Sequence, residues 1–241
     1  MTAPTADDSL DPSRSHAAAV PGGGVDARGA ASVTHSYPNA RVLIFCKAPE
    51  AGHVKTRLIP AVGERGALAV YEQLAGRVIE RALGSRLAPV QTWIAGSTEH
   101  PFFAGRQPAC CYAQHGPDLG ARMFAALRAA LAQPGVDRAV LVGSDVPGID
   151  AGYLDRALKS LEDHDAVVGP AEDGGYVLIG LRKAEARLFD SIPWSTPGVL
   201  DATRARLAEC GLHWEELDAL WDVDEPADLR RFEALERALL G

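Results

Sequence analysis

The chain has 241 residues, 47% of them hydrophobic, and 32 acidic side chains outweigh 24 basic ones to leave a formal charge of −8. That apolar share supports a buried core, in one large domain or two small ones. The acidic balance, unrelieved by any basic stripe with interleaved aromatics, argues against a nucleic-acid partner. No stretch approaches the ~20 apolar residues of a membrane span, and Asp7 and Asp8 stand where a secretion signal carries cations. A soluble, cytoplasmic protein with no membrane partner is expected. The four cysteines, Cys46, Cys110, Cys111 and Cys210, form no CxxC pair and meet no histidine at ligand spacing. Neither a zinc site nor a disulfide framework is indicated, in keeping with a reducing compartment.

Residues 1–39 are rich in Ala, Ser, Pro, Gly and Asp, and Tyr37 is their single aromatic. Such a composition does not repay the entropy of ordering, which predicts a disordered tail ahead of a single domain over residues 40–241. From Arg41 onward short apolar runs alternate with helical patterns, the signature of an α/β fold with a mostly parallel central sheet and helices on both faces. RVLIFC (41–46) is the first strand. After a loop, Leu68, Tyr71, Leu74 or Ala75, Val78 and Ala82 recur at helical spacing and predict an amphipathic helix to about Leu83. VQTWIA (90–95) reads as the second strand and ACCYA (109–113) as a weaker third. Leu119, Met123, Ala126 or Leu127, and Ala130 or Leu131 mark the next helix face, and RAVLVGSD (138–145) is a buried strand ending in an acid. A helix from Ala151 to about Leu161 leads to DAVVGPAEDGGYVLIGL (165–181), two β-like runs joined by a glycine-bearing turn, either a hairpin or a strand reversal. The last helix begins at DEPADL (224–229), with Asp224 as N-cap and Pro226 in the first turn.

KAPEAGHVKTRL (47–58) lies directly after the first strand and before a helix, where α/β proteins place ligands beyond the strands' carboxyl ends. Lys55 offers phosphate oxygens a point charge, Arg57 a planar fork, and Gly52 a close backbone approach. The segment lacks the first glycine and the GK pair of a Walker A motif, which excludes a P-loop ATPase. Asp145 emerges at the same sheet edge. Beside phosphates, a carboxylate there suits Mg²⁺ or Mn²⁺, held by one or two carboxylates with phosphate oxygens and water; capping the following turn is its ordinary alternative. In WDVDEPADL, Asp222 and Asp224 share a side if the segment is extended, and because Asp224 is also a natural N-cap, Asp222 is the leading ligand. Glu172 and Asp173 precede Gly174 and Gly175, so Asp173 is a candidate to bind an acceptor hydroxyl or act as general base, while the same residues suit a hairpin turn. Trp194, Ser195 and Thr196 sit between prolines, as a lid or acceptor loop or as a rigid connection. The candidate catalytic residues are thus Asp173, Lys55 and Arg57, the metal ligands Asp145, Asp222 and Asp224, and the substrate-binding residues Lys47, Gly52, Lys55, Thr56, Arg57, Gly174, Gly175, Trp194 and Ser195.

The segments KAPEAGHVKTRL, GPDLGARM, GSDVP, GPAEDGGYVLIGL, IPWST and DVDEPADL occur in this order. On them the chain, from about Arg41 to Leu235, resembles the transferase 1 family associated with radical-SAM and selenodomain proteins. The resemblance implies the Rossmann-like GT-A fold of the nucleotide-diphospho-sugar transferase superfamily, with Lys55 and Arg57 at the donor's phosphates and Asp145 and Asp222 at a divalent cation. Two positions depart from the family pattern: Val146 replaces a frequent Cys, and Glu225 replaces a frequent Thr and adds charge beside the metal acids. The expected partners are a nucleotide or nucleotide-sugar donor and a small-molecule acceptor. In such a site a metal and cations neutralise the leaving group while an acceptor oxygen attacks in line. Glycosyl transfer releases a nucleoside diphosphate, whereas nucleotidyl transfer to a phosphorylated acceptor releases pyrophosphate. Both readings stay open, with a nucleotide-binding module lacking turnover as the third.

Overall fold

A computed structural model describes residues 33–106 and 110–240. Seven strands form one sheet: β1 (Ala40–Lys47), β2 (Val90–Ala95), β3 (Cys111–Ala113), β4 (Arg138–Gly143), β5 (Ala166–Pro170), β6 (Tyr176–Leu181) and β7 (Trp214–Glu216). Six α-helices surround it: α1 (Ile59–Ser85), α2 (Pro101–Ala104), α3 (Leu119–Leu131), α4 (Ala151–Asp163), α5 (Val199–Glu209) and α6 (Pro226–Leu240). The strand order is β3-β2-β1-β4-β6-β5-β7. Every neighbouring pair is parallel except those involving β6, which runs against both β4 and β5. The short turn between β5 and β6 is the reason, because a parallel return needs a crossover of a dozen residues or more. The glycine-bearing turn therefore closes a hairpin.

Alternation along β1 shows how one sequence serves two cores. Val42, Ile44 and Cys46 pack with Val78, Ile79 and Ala82 of α1 and Leu154, Ala157 and Leu158 of α4. Leu43 faces the opposite way, with Met123, Ala126, Leu127 and Ala130 of α3 and Leu200 and Leu207 of α5. Helices thus cover both faces. The long helix starts earlier than its apolar spacing predicts, because a first turn from Ile59 joins it across a break at Gly63 (φ 71°, ψ 169°). Its buried face, including Tyr71, Leu74, Ala75, Val78 and Ala82, is the one the spacing marks.

Of the segment 1–39 expected to be disordered, residues 1–32 lie outside the described residues. Ser36 and Tyr37 donate backbone hydrogen bonds to the carbonyls of Arg86 and Leu87 (3.1 and 2.7 Å), and the Tyr37 hydroxyl donates to Asp155 at 2.9 Å. Residues just before Ala40 are thus tied to the segment after α1 and to α4, in part by the one aromatic of that stretch. Among the described residues no helix is long and apolar enough to cross a membrane.

The site's position follows from the topology. α1 carries the chain from β1 to β2 on one side, while β4 pairs with β1 on the other, so connections diverge on either side of β1 and leave a crevice at the carboxyl ends. Phe45 is in register with Gly143, which sets the loop after β1 beside Ser144 and Asp145. β6 begins at the same edge because it is antiparallel, with Val142 opposite Leu178. After β7 the chain climbs beside β5, its Leu220 amide bonding Pro170 O at 3.0 Å and its Val223 amide bonding Asp145 O at 3.1 Å. That last bond delivers Asp222 and Asp224 to the crevice.

Candidate active site

The cationic loop turns at Lys55, which adopts a left-handed conformation (φ 45°, ψ 45°) rare for a residue with a side chain. The following 3₁₀ turn, Thr56–Leu58, anchors Leu58 in a small core with Ala67, Leu74, Val223 and Phe232. The Lys55 side chain is consequently only 5% exposed, and its Nζ donates to Asp145 Oδ2 at 2.6 Å and lies 3.6 Å from Asp224 Oδ1. Arg57, 65% exposed, donates to the other oxygen of Asp224. The predicted phosphate cations and metal acids do meet, but here they are paired with one another. Burial alone pulls the Lys55 ammonium toward neutrality, yet the charge and hydrogen bond of Asp145, aided by Asp224 and Asp222, outweigh it and hold the pKa above the ordinary lysine value.

Asp222 is placed differently. Its carboxylate has no ion-pair partner within 4.0 Å among the described residues, and burial followed by the charges of Asp145 and Asp173 pushes its pKa up to about 6, with Lys55 opposing. The expectation that Asp224 caps the last helix is corrected by the structure. Asp228 Oδ2 reaches back to the amides of Asp224 (3.2 Å) and Glu225 (2.8 Å), because Lys55 and Arg57 draw the Asp224 side chain into the crevice.

Two chambers open on either side of this cluster and share Phe45, Arg57, Leu119, Gly143, Asp145 and Asp224. The loop chamber, about 400 Å³, takes in Lys47, Lys55 and Thr56 with His53, Gln114 and Arg122. The second, about 630 Å³, takes in Asp173, Gly175, Asp222, Trp194 and Ser195, with Met123, Leu141, Tyr176 and Val199 as its apolar wall. Tyr71 braces the loop chamber: its hydroxyl accepts the Lys47 amide at 2.6 Å and donates to the Lys47 carbonyl at 3.0 Å. Gln114 Nε2 ties the carbonyls of Cys46 and Trp93 (3.1 and 2.9 Å). Buried Cys46 has its thiol pushed up to about 12 by burial and is no nucleophile here.

Two predicted substrate contacts line neither chamber. Gly52 (φ +79°) serves the backbone turn of the loop. Gly174 (φ +90°) lets the hairpin tip touch the loop carrying Trp194, since a Cβ there would collide with the Pro197 carbonyl. Asp173 does line the second chamber and also accepts the Gly175 amide at 2.9 Å, so turn and site roles coincide in one residue. Sequence reasoning missed Phe45, Leu119, Met123, Tyr176, Gln114 and Arg122. All of them lie in predicted strands or helices, or beside them, where nothing local separates a chamber wall from core or surface.

The donor set suits a hard divalent cation. Asp145 and Asp222 repel each other, and both face the second chamber. Among the described residues no group of three His, Cys, Asp or Glu side chains could hold a metal by itself. A cation at Asp145 and Asp222 would complete its shell with phosphate oxygens and water.

Residues 78–196 match the family model described as an uncharacterized protein conserved in bacteria (DUF2064). A protein from Desulfovibrio desulfuricans G20, provisionally described as a nucleotide-diphospho-sugar transferase and solved at 1.90 Å, is 36% identical with a TM-score of 0.72, over 78% of this chain and 83% of that one. The chain belongs to the same family as this Desulfovibrio protein. Two remoter structures share the fold of this family member. One is CMP:2-keto-3-deoxy-manno-octonic acid synthetase complexed with CTP, 13% identical with a TM-score of 0.51 over 83% of this chain and 99% of that one. The other is 4-diphosphocytidyl-2C-methyl-D-erythritol synthase from Anaerococcus prevotii DSM 20548, 12% identical with a TM-score of 0.54 over 83% and 97%. They show the α/β architecture that this chain shares with them, and nothing finer. No curated protein matches the chain.

Proposed function

We propose that the protein is a divalent-metal-dependent glycosyltransferase that seats a nucleoside-diphospho-sugar in the loop chamber and transfers its sugar to a hydroxyl group held in the second chamber. The observation that carries this reading is the shared partition. Two cavities, one rich in cations and one walled by aromatics, meet at Arg57, Asp145 and Asp224, an arrangement suited to two substrates reacting across a charged boundary. The 36% identical Desulfovibrio protein, provisionally described as a nucleotide-diphospho-sugar transferase, supports the same class.

In this mechanism the acceptor oxygen forms a bond to the anomeric carbon as the bond from that carbon to the diphosphate oxygen breaks. The hydroxyl proton passes to Asp173, which stands in the acceptor chamber. Arg57, already exposed, takes up charge on the departing diphosphate, and Lys55 supplies a second positive charge from beneath. A divalent cation, when bound at Asp145 and Asp222, supplies further charge neutralisation to the leaving group.

Calorimetric titration with UDP-glucose, GDP-mannose, ATP and CTP, each with Mg²⁺, Mn²⁺ or EDTA, tests the reading. A diphospho-sugar should bind in a metal-dependent way, and Asp145→Asn should abolish that dependence. Asp173→Asn should leave donor affinity intact while lowering sugar transfer by ~10²-fold or more. Metal-dependent binding of a triphosphate alone, with pyrophosphate release, would replace glycosyl with nucleotidyl transfer. Binding of none would overturn the donor site.

A further inference from the structure

The larger chamber has a rigid wall and an uneven charge, and together they restrict what it admits. Trp194 is held in place from two sides. Beneath its indole is Gly120 at the start of α3, where a Cβ would stand 2.7 Å from the ring. Tyr176 meets the indole edge-on with centroids 6.3 Å apart. The segment bearing Trp194 is stapled by Thr196 Oγ1 to the Pro193 carbonyl (2.8 Å) and, just beyond, by the Leu200 amide to the Gly174 carbonyl (2.9 Å). Among the described residues the Tyr176 hydroxyl finds only the Met123 sulfur, a weak acceptor, at 3.8 Å. Leu119, 44% exposed, opens on the same space. A fixed indole with an apolar surround is a platform for a ring face.

Charge decides which rings. Asp145, Asp173, Asp222 and Asp224 all line this chamber, against Arg57 on its wall and Lys55 buried just behind. Four negative charges thus face two positive ones. A divalent cation would bring the balance only to zero, and the phosphates of a donor next door would make it negative again. An entering phosphate would be repelled in either state, while a neutral hydroxyl or an amine would be accepted.

We infer that the acceptor is a ring-bearing hydroxyl compound without phosphate, neutral or cationic, that lays its ring on Trp194 and turns its hydroxyl toward Asp173. The inference rests on the proposed transferase reading for the word acceptor; the binding preference itself does not.

Three small phenyl probes test it on the full chain at low ionic strength by ligand-observed NMR titration: tyramine, 4-hydroxybenzyl alcohol and phenyl phosphate. Tyramine and the alcohol should bind, and phenyl phosphate should bind about tenfold more weakly or worse. Trp194→Ala, checked for an unchanged unfolding profile, should weaken tyramine at least ~5-fold. Asp173→Asn should narrow the gap between tyramine and phenyl phosphate, as should added salt. The inference is overturned if phenyl phosphate binds as well as tyramine, or if Trp194→Ala binds all three probes as the parent does. The first result would favour a phosphorylated acceptor and leave the donor chamber standing. Failure of every nucleotide to bind would remove the transferase reading and leave the probe ranking intact.

Discussion

The two chambers share a partition and differ in how their charges are met. On the loop side the buried cation is matched: Lys55 has Asp145 at 2.6 Å and Asp224 at 3.6 Å, and Arg57 holds the rest of Asp224. On the aromatic side the acids exceed their partners, and Asp222 is pushed up to about 6 by burial and by its neighbours Asp145 and Asp173. Matched charges hold a backbone in place, here the left-handed turn at Lys55. Surplus charge instead raises the free energy of the ligand-free state, and a cation bound there would relieve it. The matched pairs keep the shape of the loop proposed to seat the donor, while the surplus acids of the other side are free to meet a cation.

Stability measurements test that division. Asp145→Ala removes the nearest partner of an ammonium that is 5% exposed, and it should cost about 3 kcal/mol in urea unfolding at neutral pH. A Lys55→Met change in that background should recover part of the loss. A cost below about 1 kcal/mol would show that the pair is not what holds the loop. Next in size is Gly174→Ala, at a φ of +90° with Pro197 against it, expected to cost about 2 kcal/mol and to shift the Trp194 environment in fluorescence. Unchanged stability and emission would show that the hairpin tip does not fix the aromatic wall.

Asp222→Asn should act with the opposite sign. The folded protein binds a proton at Asp222 more tightly than the unfolded chain does, with a pKa of about 6 against an ordinary 3.8. Its ionisation therefore lowers stability progressively as pH rises from about 4 to 7. The asparagine variant should be more stable than the parent by about 1–2 kcal/mol above pH 7, after discounting for partial exposure, and indistinguishable near pH 4. Mg²⁺ should erase the difference if Asp222 is a ligand. A variant less stable than the parent at pH 7.5 would show that the acid is satisfied as it stands. The smallest effect belongs to Arg231→Ala. Arg231 bonds exposed Glu172 at 2.7 and 2.9 Å and lies 4.2 Å over Trp221; the cost should stay near or below about 1 kcal/mol, since solvent screens the pair.

Much of the fold was legible because short-range patterns carry it. The first strand, the helical spacing in α1 and α3, and the glycine-bearing turn between β5 and β6 appear in the structure where the sequence predicts them, the turn as the hairpin of the two forms it allowed. Candidate acids were legible as residues ending strands or following turns. Their partners were not. That Asp224 joins Lys55 and leaves the cap to Asp228 depends on residues 167 to 169 positions apart meeting across the crevice. Gly52 and Gly174 show the same limit, for the sequence reveals a glycine but not whether its backbone faces a ligand or another loop.

The sequence by itself determined the α/β class and the strands whose ends carry the candidate lysine, arginine and aspartates, because periodicity and strand-end chemistry are local properties. Tertiary structure alone decided that the cations face the acids, that Asp173 and Asp222 are left without ion-pair partners among the described residues, and that Trp194 and Tyr176 wall a second chamber. These depend on the order of strands in the sheet and on side chains brought together from remote segments, and no local pattern encodes which charges meet when the chain closes.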